Sequence, residues 1–351
     1  MHIDGFRFDQ ASIFTRGQNG EVLEGASIID HIAEDPVLCN TKLIAEAWDA
    51  TGIYQVGAFP HPRWSEWNGR YRDDIRKFWR GDPHMLRPLA TRLVGSPDLY
   101  DKAQQTPLKS INFVTCHDGF TLYDLVSYKD KHNMANRENN HDGASQNHSF
   151  NYGHEGPTLD HHIQTLRKRQ QKNFIATLLL SRGVPMLLGG DEFSRTQQGN
   201  NNAYCQDNEI SWVDWSLLKE HKDLYAFTRQ AIKLRKRSPA LHQGHFLESA
   251  AKNDLWPSIQ WFGPNNQDPD WDHGKTIACL INEPLKAQNG TDHNELYIIF
   301  NADFSTAEYD LPQSKGGEWN IILNTQEKKP VYKRTQKKIE AEPFSLHVLG
   351  S

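Results

Sequence analysis

Apolar residues in the first two-thirds of the chain fall into two alternating patterns, short runs of strand length and longer stretches with helical spacing. Phe6 and Phe8 flank Arg7 in a strand-like opening, and the run Lys42 to Ala45 ends at Glu46. Ser110 to Thr115 runs into His117-Asp118, and Val184 to Leu188 runs into Gly189-Gly190-Asp191-Glu192. Between these runs the spacing predicts helices over about 70–80, 86–94, 159–181 and 221–237. Within 159–181, Ile163, Leu166, Phe174 and Leu178 repeat on one face, and Ser181-Arg182-Gly183 reads as a stop signal. Strands separated by helices predict βα units and a parallel sheet.

The acidic residues sharpen this picture. Asp9, Glu46, Asp118 and Asp191-Glu192 each stand at or just past the end of a strand candidate. In a (β/α) barrel those carboxyl ends share one face, and that face carries the chemistry. Acids in such places also serve simply as caps for the helices that follow.

After about residue 243 the pattern changes. Thr276 to Ile281, Leu296 to Phe300, Trp319 to Leu323 and Phe344 to Leu349 read as short strands joined by Asn-, Gly- and Pro-rich turns. The chain therefore divides into 1–242, with βα character, and 243–351, an antiparallel β domain of the sandwich kind. No internal repeat is visible. The stretch 129–158, rich in Asn, His and Gly, reads as a long functional loop.

Composition narrows the partners. In 351 residues, 39 Lys and Arg stand against 44 Asp and Glu, so no excess of positive charge is available for phosphates and nucleic acid is excluded as a partner. No apolar run is long enough to span a membrane, and the N-terminus shows no signal-peptide pattern. The four cysteines are far apart and include no C-x-x-C pair, which fits reduced thiols in a cytoplasm. His132, His141, His148 and His154, with Glu138 and Asp142, match no zinc spacing, so neither metal nor cofactor is expected. Ten tryptophans and eleven tyrosines suit stacking on a neutral polar ligand, and equally an ordinary core.

Retaining hydrolysis of a glycosidic bond uses two carboxyls about 5–5.5 Å apart. Acids ending neighbouring parallel strands, about 4.8 Å apart, can meet that distance, which makes Asp9 and Glu46 candidates. The motifs D-G-F-R-F-D (4–9), L-I-A-E-A-W-D (43–49) and F-V-T-C-H-D-G-F-T-L (113–122) resemble three regions of the α-amylase superfamily, glycoside hydrolase family 13. Y-Q-V-G-A-F-P (54–60), W-N-G-R-Y-R-D-D (67–74) and G-N-N-N-A-Y-C-Q-D-N (199–208) are similar to blocks of its isoamylase-type branch, and within it of bacterial glycogen debranching enzymes. The resemblance runs from residue 2 to about 240 and continues more weakly to the end.

The resemblance implies roles residue by residue. Asp9 would be the nucleophile, Glu46 the acid/base and Asp118 the transition-state stabiliser, with Arg7 and His117 binding beside them; outside the motifs Arg7 and His117 would read as ion-pair or packing groups. Trp48, Tyr204 and Asn202 would contact sugar, and Tyr54, Trp64, Trp67, Trp212 and Trp215 are weaker candidates for which packing is the simpler reading. Met134 and Arg137 depart from the family's loop pattern, and Ala47 stands where it usually has Pro. The implied substrate is an α-glucan, glycogen or its limit dextrin, cut at α-1,6 branches. The implied fold is an incomplete (β/α)8 TIM barrel, strands 4 to 8, followed by the C-terminal β domain. The first three barrel strands and an N-terminal β domain have no counterpart, so a non-catalytic glucan-binding fragment, or a half-barrel needing a separately encoded N-terminal half, is the competing expectation.

Overall fold

The computed structural model describes residues 3–23, 25, 27–101, 103–249, 257–283, 295–315, 317–326, 333–334 and 337–351. Met1 and His2, which precede the first motif, lie outside them. Five short strands, β1 (Gly5–Phe8), β2 (Lys42–Ala45), β3 (Trp64–Trp67), β4 (Ser110–Asn112) and β5 (Val184–Pro185), form one parallel sheet in sequence order. That sheet is open, with β1 and β5 on its edges, where Phe6 and Val184 are partly exposed.

Helix α1 (Ser27–Glu34) lies between β1 and β2, α2 (Gly69–Arg80), α3 (Leu86–Leu93) and α4 (Pro97–Tyr100) between β3 and β4, α5 (Leu122–Leu125) and α6 (His161–Leu180) between β4 and β5, and α7 (Leu217–Glu220) and α8 (Lys222–Arg237) after β5, whereas β2 and β3 are joined without a helix. Their ends follow local chemistry. Asn68 caps α2 by accepting from the Tyr71 amide at 2.9 Å, and Gly81 ends it at φ 86°, a left-handed turn that costs glycine nothing. Asp160 caps α6 through the His162 and Ile163 amides at 2.8 and 3.3 Å. The second half of α6 is buried all round, so its polar residues carry partners: Gln170 donates to the Trp79 carbonyl and Asn173 to that of Phe344, both at 2.9 Å.

Strand β3 is not foreshadowed by an apolar run. Its sequence, W-S-E-W, places Glu66 in the interior, fully buried and held by the Gly57 amide at 2.5 Å. The strands starting at Ser110 and Val184 are also shorter than their apolar runs, because the chain leaves the ladder after Asn112 and Pro185 to build the loops described below. Helix α1 is a further element beyond the four predicted, amphipathic in its spacing, with Ile29 and Ala33 buried and Ile32 packed beside them.

The remainder is antiparallel. Strands β6 (Ser258–Phe262), β7 (Thr276–Asn282), β8 (Glu295–Asn301), β9 (Ala307–Asp310), β10 (Asn320–Asn324), β11 (Lys333–Arg334), β12 (Lys338–Ala341) and β13 (Ser345–Gly350) make a six-stranded sheet, β11-β10-β13-β8-β7-β6, and a separate β9-β12 pair. Alternation sorts the faces. Ile277, Cys279, Ile298 and Phe300 join the core containing α6 and α8, whereas Ala278, Tyr297 and Ile299 pack with Tyr309 and Ile339 of the pair. Strand β8 is buried along its whole length because both faces are covered. No helix among the described residues is long and apolar enough to cross a membrane.

Candidate active site

Strands β1 and β2 pair in register, Phe8 opposite Ala45, so Asp9 and Glu46 each stand one residue beyond the paired ends of adjacent strands. The Glu46 amide still donates to the Phe8 carbonyl at 3.0 Å, which fixes one loop against the other. Arg7 lies two residues before Asp9, on the same face by the two-residue period of a strand. Its guanidinium donates to both carboxylates, to Asp9 through Nη1 and to Glu46 through Nη2. It also lies 3.9 Å over the Trp67 ring, which supports it from the neighbouring interior of β3.

The two carboxyls are set apart by their surroundings. Glu46 is buried, and desolvation pushes its pKa up to about 7 against the opposing hydrogen bond from the Gln10 amide at 2.9 Å and the charge of Arg7. Asp9 is mostly exposed; desolvation pulls its pKa upward, but hydrogen bonding with Glu46 and the charge and hydrogen bond of Arg7 together prevail and hold it below the usual range. Gln10 turns sharply, with φ 42° and ψ 44°, and that turn aims its N–H at Glu46. One carboxyl thus stays ionised where its neighbour is protonated near neutrality, the division of labour a nucleophile and an acid require.

His117 completes the cluster. Its Nε2 lies 3.5 Å from Asp9 and 3.6 Å from Asp118, and its ring meets the edge of Trp67 at 5.6 Å. The segment bearing His117 and Asp118 is braced from beneath by Asp191, which accepts from the Thr115 hydroxyl and from the Leu122 amide at 2.9 Å. Asp191 is buried and its pKa rises to about 7 through desolvation. This strand-end acid therefore positions the loop from behind, and Thr115, a residue with no sequence signal for the role, is its partner.

The chain beyond Glu46 is equally fixed. Asp49 takes Arg16 in a two-pronged pair at 2.7 and 3.1 Å and accepts from the Thr51 and Ile53 amides. Ala47 is buried, and its carbonyl accepts from the Gln55 amide at 2.7 Å. Trp48 and Tyr54 stack at 6.0 Å with an interplanar angle of 11°. Trp64 is buried in packing against Phe8 and Phe59, while Trp212 and Trp215 are exposed.

Asn202 and Tyr204 are placed differently. The Asn202 amide donates to Asp142 at 2.9 Å, within an asparagine network that knits the 131–147 loop to the 199–202 loop. Asn201 is its hub: it joins Asn133 and Asn147, and its carbonyl receives the Gly119 amide at 2.9 Å, which ties the network to the His117 segment. Tyr204 is 75% exposed. In the long loop, His132 pairs with Glu155 at 3.0 Å. Among the described residues no group of three His, Cys, Asp or Glu is arranged to hold a metal ion.

Residues 260–343 match the family described as isoamylase 1-3, C-terminal. The chain is 46% identical over 339 residues to a glycogen operon protein GlgX homolog of Mycobacterium bovis, covering 93% of this chain and 47% of that protein. It is 40% identical over 324 residues to a glycogen debranching enzyme of Serratia proteamaculans, covering 92% and 46% respectively. The fold is similar to a pullulanase from Bacillus acidopullulyticus, with a TM-score of 0.68 at 19% identity, over 100% of this chain and 38% of that one. The chain spans about half the length of the curated relatives it matches. Over that stretch it is similar in sequence to proteins named for the glycogen operon and for glycogen debranching, and residues 260–343 to the isoamylase C-terminal family.

Proposed function

We propose that the chain carries the carboxylate pair of a retaining α-1,6-glucosidase acting on branched α-glucan. Asp9 attacks the anomeric carbon while Glu46 protonates the departing glycosidic oxygen, leaving a glycosyl ester on Asp9. Glu46, now ionised, takes a proton from water, which hydrolyses the ester and returns both carboxyls to their starting states. Arg7 keeps Asp9 ionised, His117 and Asp118 bind the sugar as positive charge develops on it, and Trp48, Tyr204 and Asn202 contact flanking glucose units. The reading divides the chain into a catalytic part, 1–242, and a C-terminal β domain, 243–351.

One observation carries this proposal: Asp9 and Glu46 share one guanidinium at the ends of adjacent strands, one held below and one above the usual carboxylate range. The names of the relatives, a glycogen debranching enzyme among them, supply the substrate. Reducing-sugar release from phosphorylase limit dextrin tests it. Turnover that disappears in Asp9→Asn supports the reading, and turnover unchanged in that variant sinks it.

The open edges of the parallel sheet favour a second reading, in which a separate polypeptide adds strands along β1 and β5 before the site works. Turnover that requires an added N-terminal half of a homologue would distinguish it from a chain active alone.

A further inference from the structure

Apart from the Asp9–Glu46 cluster, and sharing no residue with it, a cavity of about 510 Å³ lies within the size range of small-molecule sites. One wall is the first half of α6, through Gln164, Arg167 and Gln171. Tyr123 and Tyr128 form another, and Thr196 a third. These last walls are built by the chain that leaves β4 and β5, the strands whose following loops also carry His117, Asp118 and Asp191.

Two polar atoms at this cavity lack partners. Arg167 is only 3% exposed; its Nη atoms donate to the carbonyls of Gly156 and Asn151 at 2.6 and 2.8 Å, but Nε makes no hydrogen bond among the described residues. The same holds for Nδ1 of His221, on the α7 side. Both atoms have almost no accessible surface, so the occupant is set by the groups that do face the cavity.

Charge and shape define that occupant. The Arg167 guanidinium is spent on backbone carbonyls, Lys168 faces Asp223 at 3.8 Å, and Glu220 adds a negative group to the lining. What remains is amides, hydroxyls and two tyrosine rings, a lining for a neutral molecule with hydroxyls on its rim and apolar C–H faces. We propose that this cavity is a second carbohydrate site, taking one or two neutral hexose units of an α-glucan chain. The choice of α-glucan rests on the debranching reading, whereas the preference for a neutral polyhydroxylated ring does not. On a polymer carrying many chain ends, such a site would raise the local concentration of branches at the Asp9 cluster.

Maltose titration of the full chain, read from the side-chain amide NMR signals of Gln164, Gln171 and Gln198, tests this directly. Saturable shifts are expected in the wild type and equally in Asp9→Asn. Gln164→Trp and Leu217→Trp fill the cavity from two sides, and each is expected to weaken maltose affinity about ten-fold or more, with thermal unfolding confirming that the variant is folded. The proposal is overturned by absence of saturable shifts in the wild type, by unchanged affinity in a folded Trp variant, or by glucose 6-phosphate binding more tightly than maltose. Failure of the debranching reading would look different, with cavity binding intact and no turnover of limit dextrin.

Discussion

Asp9 and Glu46 are bound to the same guanidinium, Arg7 reaching one carboxylate with each of its terminal nitrogens. Because both acids extend from the register pair Phe8–Ala45, this bridge depends on strand pairing as well as on side-chain chemistry. It couples the two groups, so a change at Arg7 is felt by both.

The rate should therefore follow a bell-shaped pH profile. Asp9 must be ionised and Glu46 protonated, so activity falls below the depressed pKa of Asp9 and again as pH rises through about 7. Removing the charge in Arg7→Met raises both values, by on the order of one pH unit, and moves both limbs of the kcat/KM profile upward. A profile that keeps its limbs in Arg7→Met would contradict the coupling.

Glu66, Asp191 and Glu283 are buried carboxyls, each pushed up to about 7 chiefly by desolvation. The fold favours their protonated forms, so their contribution is fully present below the unfolded value of about 4 and is lost as pH rises through about 7. Glu66→Gln keeps the shape and removes the ionisation. Urea unfolding should show that variant gaining on the wild type between pH 5 and 8, by on the order of 1 kcal/mol at the upper end.

Much of this arrangement is legible in the sequence. The runs ending at Asp9 and Glu46 announce both strands, and Lys42–Ala45 forms the strand its pattern predicts. The four long helices follow their apolar spacing closely because each presents one face to a core or is buried outright. Strand β3 escapes notice because a buried glutamate interrupts its pattern, and Glu66 is stabilised by the Gly57 amide, a contact nine residues away that no periodicity reveals. The bracing of His117 by Asp191 escapes for the same kind of reason, since Thr115 and Asp191 meet only after the whole β4–α6–β5 segment has folded. Asn202 is likewise set by a partner distant in sequence, its side-chain amide donating to Asp142.

The loop after Glu46 depends on one acid. The Thr51 and Ile53 amides donate to Asp49 at 2.9 and 3.1 Å, and Arg16 locks that carboxylate from the other side. In Asp49→Ala those two amides should exchange with solvent faster, while amides in β7 and β8 keep their protection. Hydrogen exchange with site resolution checks this, and unchanged rates at Thr51 and Ile53 would show that the loop is held by other contacts.

The asparagine network should behave as one unit. Asn201→Leu removes the bonds to Asn133, Asn147 and the Ala144 carbonyl and leaves the buried Asn147 Oδ1 without its partner, at about 1–3 kcal/mol. Limited proteolysis is expected to open the 131–147 and 199–202 loops together. Cleavage confined to one loop would show that they are not coupled.

The proposed mechanism puts the glycosyl ester on Asp9 and leaves its formation and breakdown to Glu46. Incubation with a fluorinated α-glucosyl fluoride, followed by peptide mass spectrometry, tests it most directly. A single glycosyl unit esterified to Asp9, persisting longer in Glu46→Gln and absent in Asp9→Asn, is the expected result. Label on another residue, or turnover of limit dextrin with no label on Asp9, would contradict the account.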